Sequence, residues 1–331
     1  MNPLKGYSLN AAALEMIEKV IIPKQEALGI EIYQQKNGVH ILDFGINTDP
    51  GWIAGKYFTE LSLGGLGELK YTKLKIGEYY MPAVEIIVDY PVIAELSSHD
   101  AFWYLGYAGA KQSFSGPVRA KIQDAYAKKA PYEDLKAEKV LAFCQISHVP
   151  CEEWTSQLAA DAGVAPENFY LVVARTGTLV GAIHIAARNV EQTIPTLVDK
   201  GFDLSTIVYA SGITPVIASV EDETEAYGVV NDNLLYGQET NIYCRCADVD
   251  IIKHLDNLCL NQPGNKDVYG MPFKDIFASC DNEWCNVPRP WDAPSKVNFF
   301  NLSTGRTFTA GKHHEGVLVQ GFLGKKGGRV K

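Results

Sequence analysis

The stretch "FYLVVARTGTLVGAIHIAARNVEQTIPTLVDKG", residues 169–201, carries the clearest fold signal in this chain. Its first six residues form a short apolar run that is typical of a buried strand. Its second half predicts a helix that stops at Gly201, because glycine is common just after a helix end. Four apolar residues repeat at helical spacing along one side of that helix: Val190, Ile194, Leu197 and Val198. A buried strand followed by an amphipathic helix is the building unit of a layered α/β protein.

The neighbouring segments repeat this alternation. A strand is predicted at "VLAFCQI" (140–146), a helix at "CEEWTSQLAADAG" (151–163), a loop at "RTGTLVG" (175–181) and a strand at "STIVYASG" (205–212). The polar stretch 123–139 separates this section from the residues before it. We therefore predict a two-domain, layered α/β architecture. The first domain covers 1–130 and is completed by a C-terminal hairpin at 290–331, and the second covers 137–289.

Local rules predict the remaining elements. Ser8 or Asn10 can cap a first helix whose apolar residues repeat up to Pro23. The Asn37-Gly38 pair predicts one hairpin, and a second is predicted around Thr304-Gly305. Further strands are predicted at "ELKYTKLKI" (68–76) and "AVEIIVDYP" (83–91), and the basic end 324–331 is expected to fray.

The composition excludes several classes of protein. The chain has 331 residues, is 47% hydrophobic and has a formal net charge of -9, so it lacks the general basic charge of nucleic-acid-binding or membrane-surface proteins. Its longest apolar runs are far shorter than the roughly 20 residues of a membrane span. The N-terminus lacks the basic-then-apolar order of a signal peptide. We therefore expect a cytoplasmic protein that binds neither nucleic acid nor membrane.

The cysteines do not form a recognisable framework. There are 7 of them, all from Cys144 onward, and an odd number favours reduced thiols over a set of disulfides. One residue separates Cys244 from Cys246, whereas structural zinc sites usually place two to four residues between paired ligands. No metal site is predicted.

Two glycine-containing segments could approach an anion. "SLGGLGEL" (62–69) matches neither the dinucleotide nor the Walker fingerprint, and tight packing is an equal alternative. "SFSGPVRAKI" (113–122) offers hydroxyls, backbone donors and Arg119 near a helix start, which suits an anion, while a simple capped helix is the alternative. Asp43 is interpreted as a turn residue and His99-Asp100 as an exposed loop pair.

Arg188 and Glu191 are the pair on which the functional interpretation depends. They are three residues apart on the predicted helix, a spacing that suits a helix-surface ion pair worth about 0.2–0.5 kcal/mol. The same residue types could form the centre of an active site, because a carboxylate can act as a base and a close guanidinium favours its ionised form. The spacing leaves both interpretations open.

Seven segments occur in a characteristic order and together span nearly the whole chain. They are "DFGINTDPGWIAGKYFTELSLGGLG" (43–67), "YPVIAELSSHDAFW" (90–103), "SGPVRA" (115–120), "VAPENFYLVVARTGTLVGAIHIAARNVEQTI" (164–194), "NDNLLYG" (231–237), "DVYGMPFKDIF" (267–277) and "DAPSKVNFFNLSTGRTFTAGK" (292–312). In this combination the chain resembles the methenyltetrahydromethanopterin cyclohydrolase family.

The resemblance implies an α/β fold with the active-site pocket between two domains, assembled as a homotrimer. It implies a hydrolase of one-carbon metabolism that reversibly converts the methenyl form of tetrahydromethanopterin, or of a dephospho relative, into the N5-formyl form with water. It implies neither a metal nor a tightly bound cofactor, since the tetrahydromethanopterin-type carrier of the one-carbon unit is the substrate.

The resemblance also assigns roles to residues. The family's catalytic arginine and glutamate correspond to Arg188 and Glu191, so we expect Glu191 to activate water and Arg188 to keep Glu191 ionised. The expected substrate-binding residues are Ser62, Gly64, Gly65, Trp103, Ser115, Gly116, Arg119 and His184. Within this set, Arg119 is expected to hold the acidic tail of the carrier, and Trp103 is either an aromatic wall or part of the core.

The chain departs from the family pattern at several positions. The family commonly has an acidic residue at Gln145, proline at Arg175, glycine at Phe102, and a basic residue followed by threonine at Val229-Val230. These changes leave Arg188 and Glu191 in place. The alternative is therefore a diverged paralogue that binds a tetrahydropterin or folate carrier without, or with a different, cyclohydrolase activity.

Overall fold

The computed structural model describes residues 3–107, 110–217 and 222–323 of the chain. It confirms a layered α/β protein in which helices and strands alternate. Among these described residues, no helix is long and apolar enough to cross a membrane. The basic end 324–331, predicted to fray, lies outside the described residues.

The helices are α1 (Leu9–Met16), α2 (Gln25–Leu28), α3 (Trp52–Ser62), α4 (Pro91–Ala94), α5 (Val118–Ile122), α6 (Glu152–Asp161), α7 (Leu179–Ala186), α8 (Asn189–Asp199), α9 (Glu223–Gly237), α10 (Asp248–Ile252), α11 (Phe273–Ala278) and α12 (Glu315–Leu323). The strands are β1 (Glu31–Gln34), β2 (His40–Asp43), β3 (Gly67–Ile76), β4 (Tyr79–Asp89), β5 (Trp103–Tyr107), β6 (Ala110–Phe114), β7 (Val140–Gln145), β8 (Phe169–Ala174), β9 (Ile207–Pro215), β10 (Glu239–Cys244), β11 (Lys296–Asn301) and β12 (Arg306–Gly311). A π-helical turn, Glu95–His99, directly follows α4.

The chain forms two compact units. The first combines Met1–Glu68 with Val92–His184, and the second combines Leu69–Pro91 with Ile185–Lys331. Both units draw on two separate parts of the sequence, so the chain passes between them more than once.

The first unit is built on a four-stranded sheet in the order β1-β2-β8-β7. β1 and β2 form the predicted antiparallel hairpin, while β2, β8 and β7 pair in parallel. Alternate residues of β7 point to opposite faces: Leu141 and Phe143 join one apolar cluster, and Val140 and Ala142 join another. Both faces of the sheet are therefore covered, which explains the continuous apolar runs of β7 and β8.

Single residues decide several turns of the first unit. Ser8 caps α1 by accepting a hydrogen bond from the N–H of Ala11 at 3.0 Å. Asp43 is the predicted turn residue, since its carboxylate accepts a bond from the N–H of Gly45 at 2.9 Å. The predicted loop at 175–181 is shorter than expected, because the Thr178 hydroxyl accepts a bond from a backbone N–H and α7 already begins at Leu179.

The boundary between the units differs from the predicted one. The polar stretch 123–139 predicts a boundary there, but β2 pairs with β8, so strands from both sides of that stretch share one sheet. In the same way, β4 comes from the first third of the chain and pairs with β9 of the second unit. Local polarity identifies a surface connection, whereas the unit boundary depends on which distant strands pair.

The second unit is built on a six-stranded sheet in the order β12-β11-β10-β9-β4-β3. β11 and β12 form the predicted late hairpin, but it belongs to this second unit and does not complete the first one as predicted, because β11 pairs with β10. β10 pairs in parallel with β11 and antiparallel with β9. Helix α8 packs against β9 and β10, and Asn189 at its start bonds to Thr214 of β9 and Thr240 of β10.

Helix α8 forms for the reasons that its sequence indicates. Val190, Ile194 and Leu197 are fully buried on the predicted side. The helix ends where expected, because the N–H of Gly201 bonds to the carbonyl of Val198 and the N–H of Phe202 bonds to the carbonyl of Leu197, both at 3.0 Å.

Pro195 lies inside α8. Proline has no backbone N–H, so the carbonyl of Glu191, four residues earlier, cannot receive the usual helical hydrogen bond. The first turn of α8 is therefore held less firmly by the helix backbone than the turns that follow it.

Candidate active site

The first turn of α8 brings Arg188 and Glu191 together. Arg188 is the N-cap residue of the helix, and Glu191 lies in its first turn. Nη1 of Arg188 lies 3.6 Å from Oε1 of Glu191, and the side chains are only 10% and 13% exposed. The pair is therefore far less exposed than the surface ion pair that spacing alone favours.

The geometry of this pair leaves hydrogen-bond acceptor capacity on Glu191. A separation of 3.6 Å is an ion pair without a direct hydrogen bond. A carboxylate has about four acceptor positions, so Glu191 can still accept bonds from a water molecule or a cationic substrate. The N-terminal end of a helix also carries a partial positive charge, which makes it a suitable place for a carboxylate.

A series of hydrogen-bonded, largely buried side chains begins at Gln192, the residue after Glu191. Nε2 of Gln192 donates a hydrogen bond to Oδ1 of Asp292 at 2.8 Å. Nε2 of Gln238 donates to Oε1 of Gln192 at 3.0 Å, and the Thr240 hydroxyl donates to Oε1 of Gln238 at 2.7 Å. These contacts connect the first turn of α8 with β10 and with the segment before β11.

Asp292 is a second carboxyl group near the Arg188–Glu191 pair. Its Oδ2 accepts a bond from Nη1 of Arg289 at 2.8 Å. Burial raises the pKa of Asp292 to about 6 and the negative charge of Glu191 adds to the increase, while Arg289 and the bond from Gln192 oppose it. Because the charge of Glu191 affects Asp292, the two carboxyl groups lie within electrostatic range of each other.

The first unit contains a cluster of titratable groups around the π-helical turn. Nδ1 of His99 lies 2.9 Å from Oε2 of Glu95. The prediction that His99 and Asp100 form an exposed loop pair is wrong, because these residues are 0% and 1% exposed. The ring of His99 also lies 5.3 Å from that of His184, a predicted substrate-binding residue. The four-residue spacing of Glu95 and His99 is the signal in the sequence that points to their contact.

Three other predicted substrate-binding residues contact the same turn or the residue after it. The Ser98 hydroxyl donates to the carbonyl of Ser62 at 2.6 Å. The N–H of Gly116 donates to the carbonyl of Ser98 at 2.7 Å. Nη1 of Arg119 donates to the carbonyl of Asp100 at 2.8 Å. The turn thus brings together Ser62, Gly116, Arg119 and His184.

Arg119 does not occupy the position expected of a residue that captures a phosphorylated tail. Its side chain is 0% exposed, and Nε and Nη2 donate to the two carboxylate oxygens of Asp124 at 2.7 and 2.8 Å. The charge of Arg119 is therefore already neutralised inside the first unit, and the residue is a structural cation. The partner, Asp124, lies five residues further along the chain in the polar stretch.

The predicted pterin-side glycines are needed for close packing. Gly64 has a φ of +61°, and a Cβ there would lie 2.7 Å from the side chain of Leu9. A Cβ on Gly65 would lie 2.6 Å from the hydroxyl of Tyr7, which donates a bond to the carbonyl of Gly64. The packing alternative therefore accounts for both glycines.

Ser115, Gly116 and Trp103 also belong to the interior of the first unit. Ser115 forms an isolated antiparallel bridge with Phe143. Gly116 has a φ of +102°, and a Cβ there would lie 2.6 Å from the ring of Phe143. The buried ring of Trp103 packs 5.4 Å from that of Phe114, which supports the core alternative over an aromatic wall.

The positions that depart from the family pattern make contacts within their own units. Nε2 of Gln145 donates to the carbonyl of Gly181 at 3.2 Å, and Nε of Arg175 donates to the carbonyl of Gly45 at 3.4 Å. Phe102 stacks on Tyr126 with 4.1 Å between ring centroids. Val229 and Val230 lie in α9, where Val230 is buried.

A metal site would need several ligating side chains close together. Within 3–107, 110–217 and 222–323, no group of three or more His, Cys, Asp or Glu side chains could hold a metal ion. The sulfur atoms of Cys244 and Cys246 lie 3.8 Å apart.

Known proteins are similar in sequence to this chain over nearly its full length. A family model described as "Cyclohydrolase (MCH)" matches residues 8–322. A methenyltetrahydromethanopterin cyclohydrolase of Methanocaldococcus jannaschii is 34% identical over 320 residues, which cover 94% of this chain and 97% of the relative. Enzymes of the same name from Methanothermobacter thermautotrophicus and Methanospirillum hungatei are 32% and 31% identical, covering 95% of this chain and 99% and 98% of the relatives. The chain therefore belongs to the MCH cyclohydrolase family.

Proposed function

We propose that this chain hydrolyses the methenyl bridge of methenyltetrahydromethanopterin, or of a dephospho relative, to the N5-formyl form. One observation carries the proposal: the largely buried Arg188–Glu191 pair in the first turn of α8, in a chain that belongs to this family. The names of the relatives support the choice of substrate.

Glu191 is proposed to activate the attacking water. The methenyl carbon is cationic and bonded to two nitrogens, so it is open to attack by a nucleophile. The water oxygen bonds to this carbon while the Glu191 carboxylate takes one proton from the water. One carbon–nitrogen bond then breaks, and the departing nitrogen receives that proton from Glu191. The remaining hydroxyl proton leaves to solvent as the formyl C=O forms, so each turnover releases one proton.

Arg188 is proposed to keep Glu191 ionised between turnovers. Its guanidinium lies 3.6 Å from the carboxylate and the N-terminal end of α8 adds positive potential, both of which stabilise a negative charge. The charge of Glu191 in turn attracts the cationic methenyl group. This attraction weakens as positive charge is lost from the reacting carbon. The same groups serve the reverse reaction, so the conversion is proposed to be reversible.

The experiment measures the loss of methenyl absorbance on addition of the purified protein. We expect the wild type to accelerate hydrolysis and Glu191→Gln to lower kcat by about 10²–10⁴-fold, because the amide cannot accept the proton. Glu26→Gln, which changes an exposed glutamate of α2, is the matched control and should keep the wild-type rate.

Three results would contradict the proposal. An unchanged rate in Glu191→Gln would exclude Glu191 as the base. Tight binding of the carrier by the wild type without faster hydrolysis would indicate a carrier-binding protein. A higher kcat/KM with methenyltetrahydrofolate than with methenyltetrahydromethanopterin would indicate a folate paralogue.

We also infer that the chain assembles as a homotrimer in the cytoplasm. Family membership supports the trimer, and the odd number of cysteines, which favours reduced thiols, supports the location. Light scattering of the purified protein tests the assembly, since any mass other than three times that of one chain would contradict it.

A further inference from the structure

The first turn of α8 needs support from outside the helix. The side chain of Arg188, its N-cap residue, makes no capping hydrogen bond, whereas Ser8 caps α1 in the usual way. Pro195 provides no N–H for the carbonyl of Glu191. One side-chain and one backbone hydrogen bond that normally stabilise the start of a helix are therefore missing at the turn that carries Arg188 and Glu191.

Side chains supply this support at Gln192. Gln192 is buried, and both ends of its amide are used: Nε2 donates to Asp292 at 2.8 Å and Oε1 accepts from Gln238 at 3.0 Å. Oε1 of Gln238 accepts a hydrogen bond from the Thr240 hydroxyl at 2.7 Å. In this series of hydrogen bonds every donor points towards Asp292. The last residue of the series must therefore accept a hydrogen bond.

Asp292 meets that requirement with both oxygens. Oδ1 accepts from Gln192, and Oδ2 accepts from Arg289 at 2.8 Å. Nε of Arg289 also donates to Asp199, the last residue of α8, at 3.1 Å. An ionised carboxylate accepts at both oxygens, whereas no neutral side chain of the same shape does.

We propose that Asp292 is a positioning residue for the cyclohydrolase reaction: by holding Gln192 and Arg289 it fixes the first turn of α8 and the direction in which Glu191 faces the substrate. The inference rests on the proposed function. Gln192 and Glu191 are adjacent, so a rotation that releases one side chain also turns the other. A misplacement of about 1 Å can cost roughly 100-fold in rate, so such support has a measurable effect.

Three variants test this role. Asp292→Leu keeps the branching at Cγ but is larger and accepts no hydrogen bond, and we expect kcat to fall about 10–100-fold while KM stays within about twofold. Asp292→Asn can still accept from Gln192 but loses the ion pair with Arg289, so its kcat should lie between those of Asp292→Leu and the wild type. Asp199→Asn removes the negative charge that Arg289 contacts at the C-terminal end of α8. This variant should keep kcat within about twofold of the wild type.

The outcomes separate this inference from the proposed function. Wild type and Glu191→Gln are measured in the same series, with thermal unfolding of each variant. A wild type without turnover overturns both. An active wild type with a defective Glu191→Gln, but with Asp292→Leu within twofold of the wild type, overturns the positioning role alone. That role is also overturned if Asp292→Asn is as slow as Asp292→Leu, if Asp199→Asn loses as much activity, or if KM changes in place of kcat.

Discussion

Two arginine–carboxylate pairs, one in each unit, show how similar sequence patterns serve different purposes. Arg119 and Asp124 are five residues apart, and Arg188 and Glu191 are three apart. In the first pair two guanidinium nitrogens donate to both carboxylate oxygens at 2.7 and 2.8 Å, and the arginine is completely buried. In the second pair the charged atoms are 3.6 Å apart, and both side chains keep some exposure.

The two pairs differ in whether the carboxylate oxygens can still accept hydrogen bonds from a ligand. The Arg119–Asp124 contact uses both carboxylate oxygens, so breaking it would leave a largely buried charge uncompensated. The Arg188–Glu191 contact leaves acceptor positions on the glutamate for water and for a cation. A tightly engaged pair therefore stabilises the fold, whereas a looser, accessible pair at a helix start is suited to chemistry.

The largest effect on stability is expected from Arg119→Met. Loss of the guanidinium leaves the carboxylate of Asp124 and the carbonyl of Asp100 without this donor, which should lower the free energy of unfolding by about 3–5 kcal/mol. Chemical denaturation of the two proteins measures the change. A loss below about 1 kcal/mol would show that the buried pair has no structural role.

Arg188→Lys should have the opposite profile. A lysine keeps the charge but not the planar guanidinium, so we expect kcat to fall about 10–100-fold while the free energy of unfolding changes by less than about 1 kcal/mol. Turnover and denaturation are measured on the same preparation, with Arg119→Lys as the matched substitution in the other pair. The contrast fails if Arg188→Lys loses stability and keeps its rate.

Asp232→Asn extends the comparison to a carboxyl group stabilised mainly by a backbone donor. Asp232 accepts a bond from the N–H of Phe273 at 2.6 Å, and burial raises its pKa to about 7. The folded state then holds a proton that the unfolded state releases above pH 4, so this group lowers stability as pH rises from about 4 to 7.

Asparagine keeps the acceptor without the charge. The variant should be more stable than the wild type by roughly 1–3 kcal/mol at pH 8, and the difference should vanish near pH 4. Denaturation across this pH range provides the measurement. Parallel stability curves for the two proteins would contradict the raised pKa.

The sequence predicted those features that depend on neighbouring residues. The helix cap at Ser8, the Asn37-Gly38 hairpin, the late hairpin and the glycine stop of α8 follow from turn and capping chemistry acting over a few positions. Arg188 and Glu191 were placed on one helix for the same reason. The substrate depends on the family and does not follow from their spacing.

The features that were missed depend on contacts between distant segments. The burial of His99 and Arg119 results from packing in the first unit, and polar residues in a short segment give no local sign of it. Gln192 and Asp292 are a hundred residues apart and meet only because α8 packs on the second sheet. The division into units was missed because the pairing of β2 with β8 has no signal in either strand alone.

That pairing has a consequence for the order of events during synthesis. His40 pairs with Tyr170, so β2 must wait for most of the first unit to leave the ribosome before its sheet can close. Likewise β4 waits for β9, because Val88 pairs with Ala210. Many proteins complete their N-terminal domain first. Here the chain is interleaved, so a nascent chain that ends before Val140 has neither sheet complete and exposes strand edges to other chains in the cell.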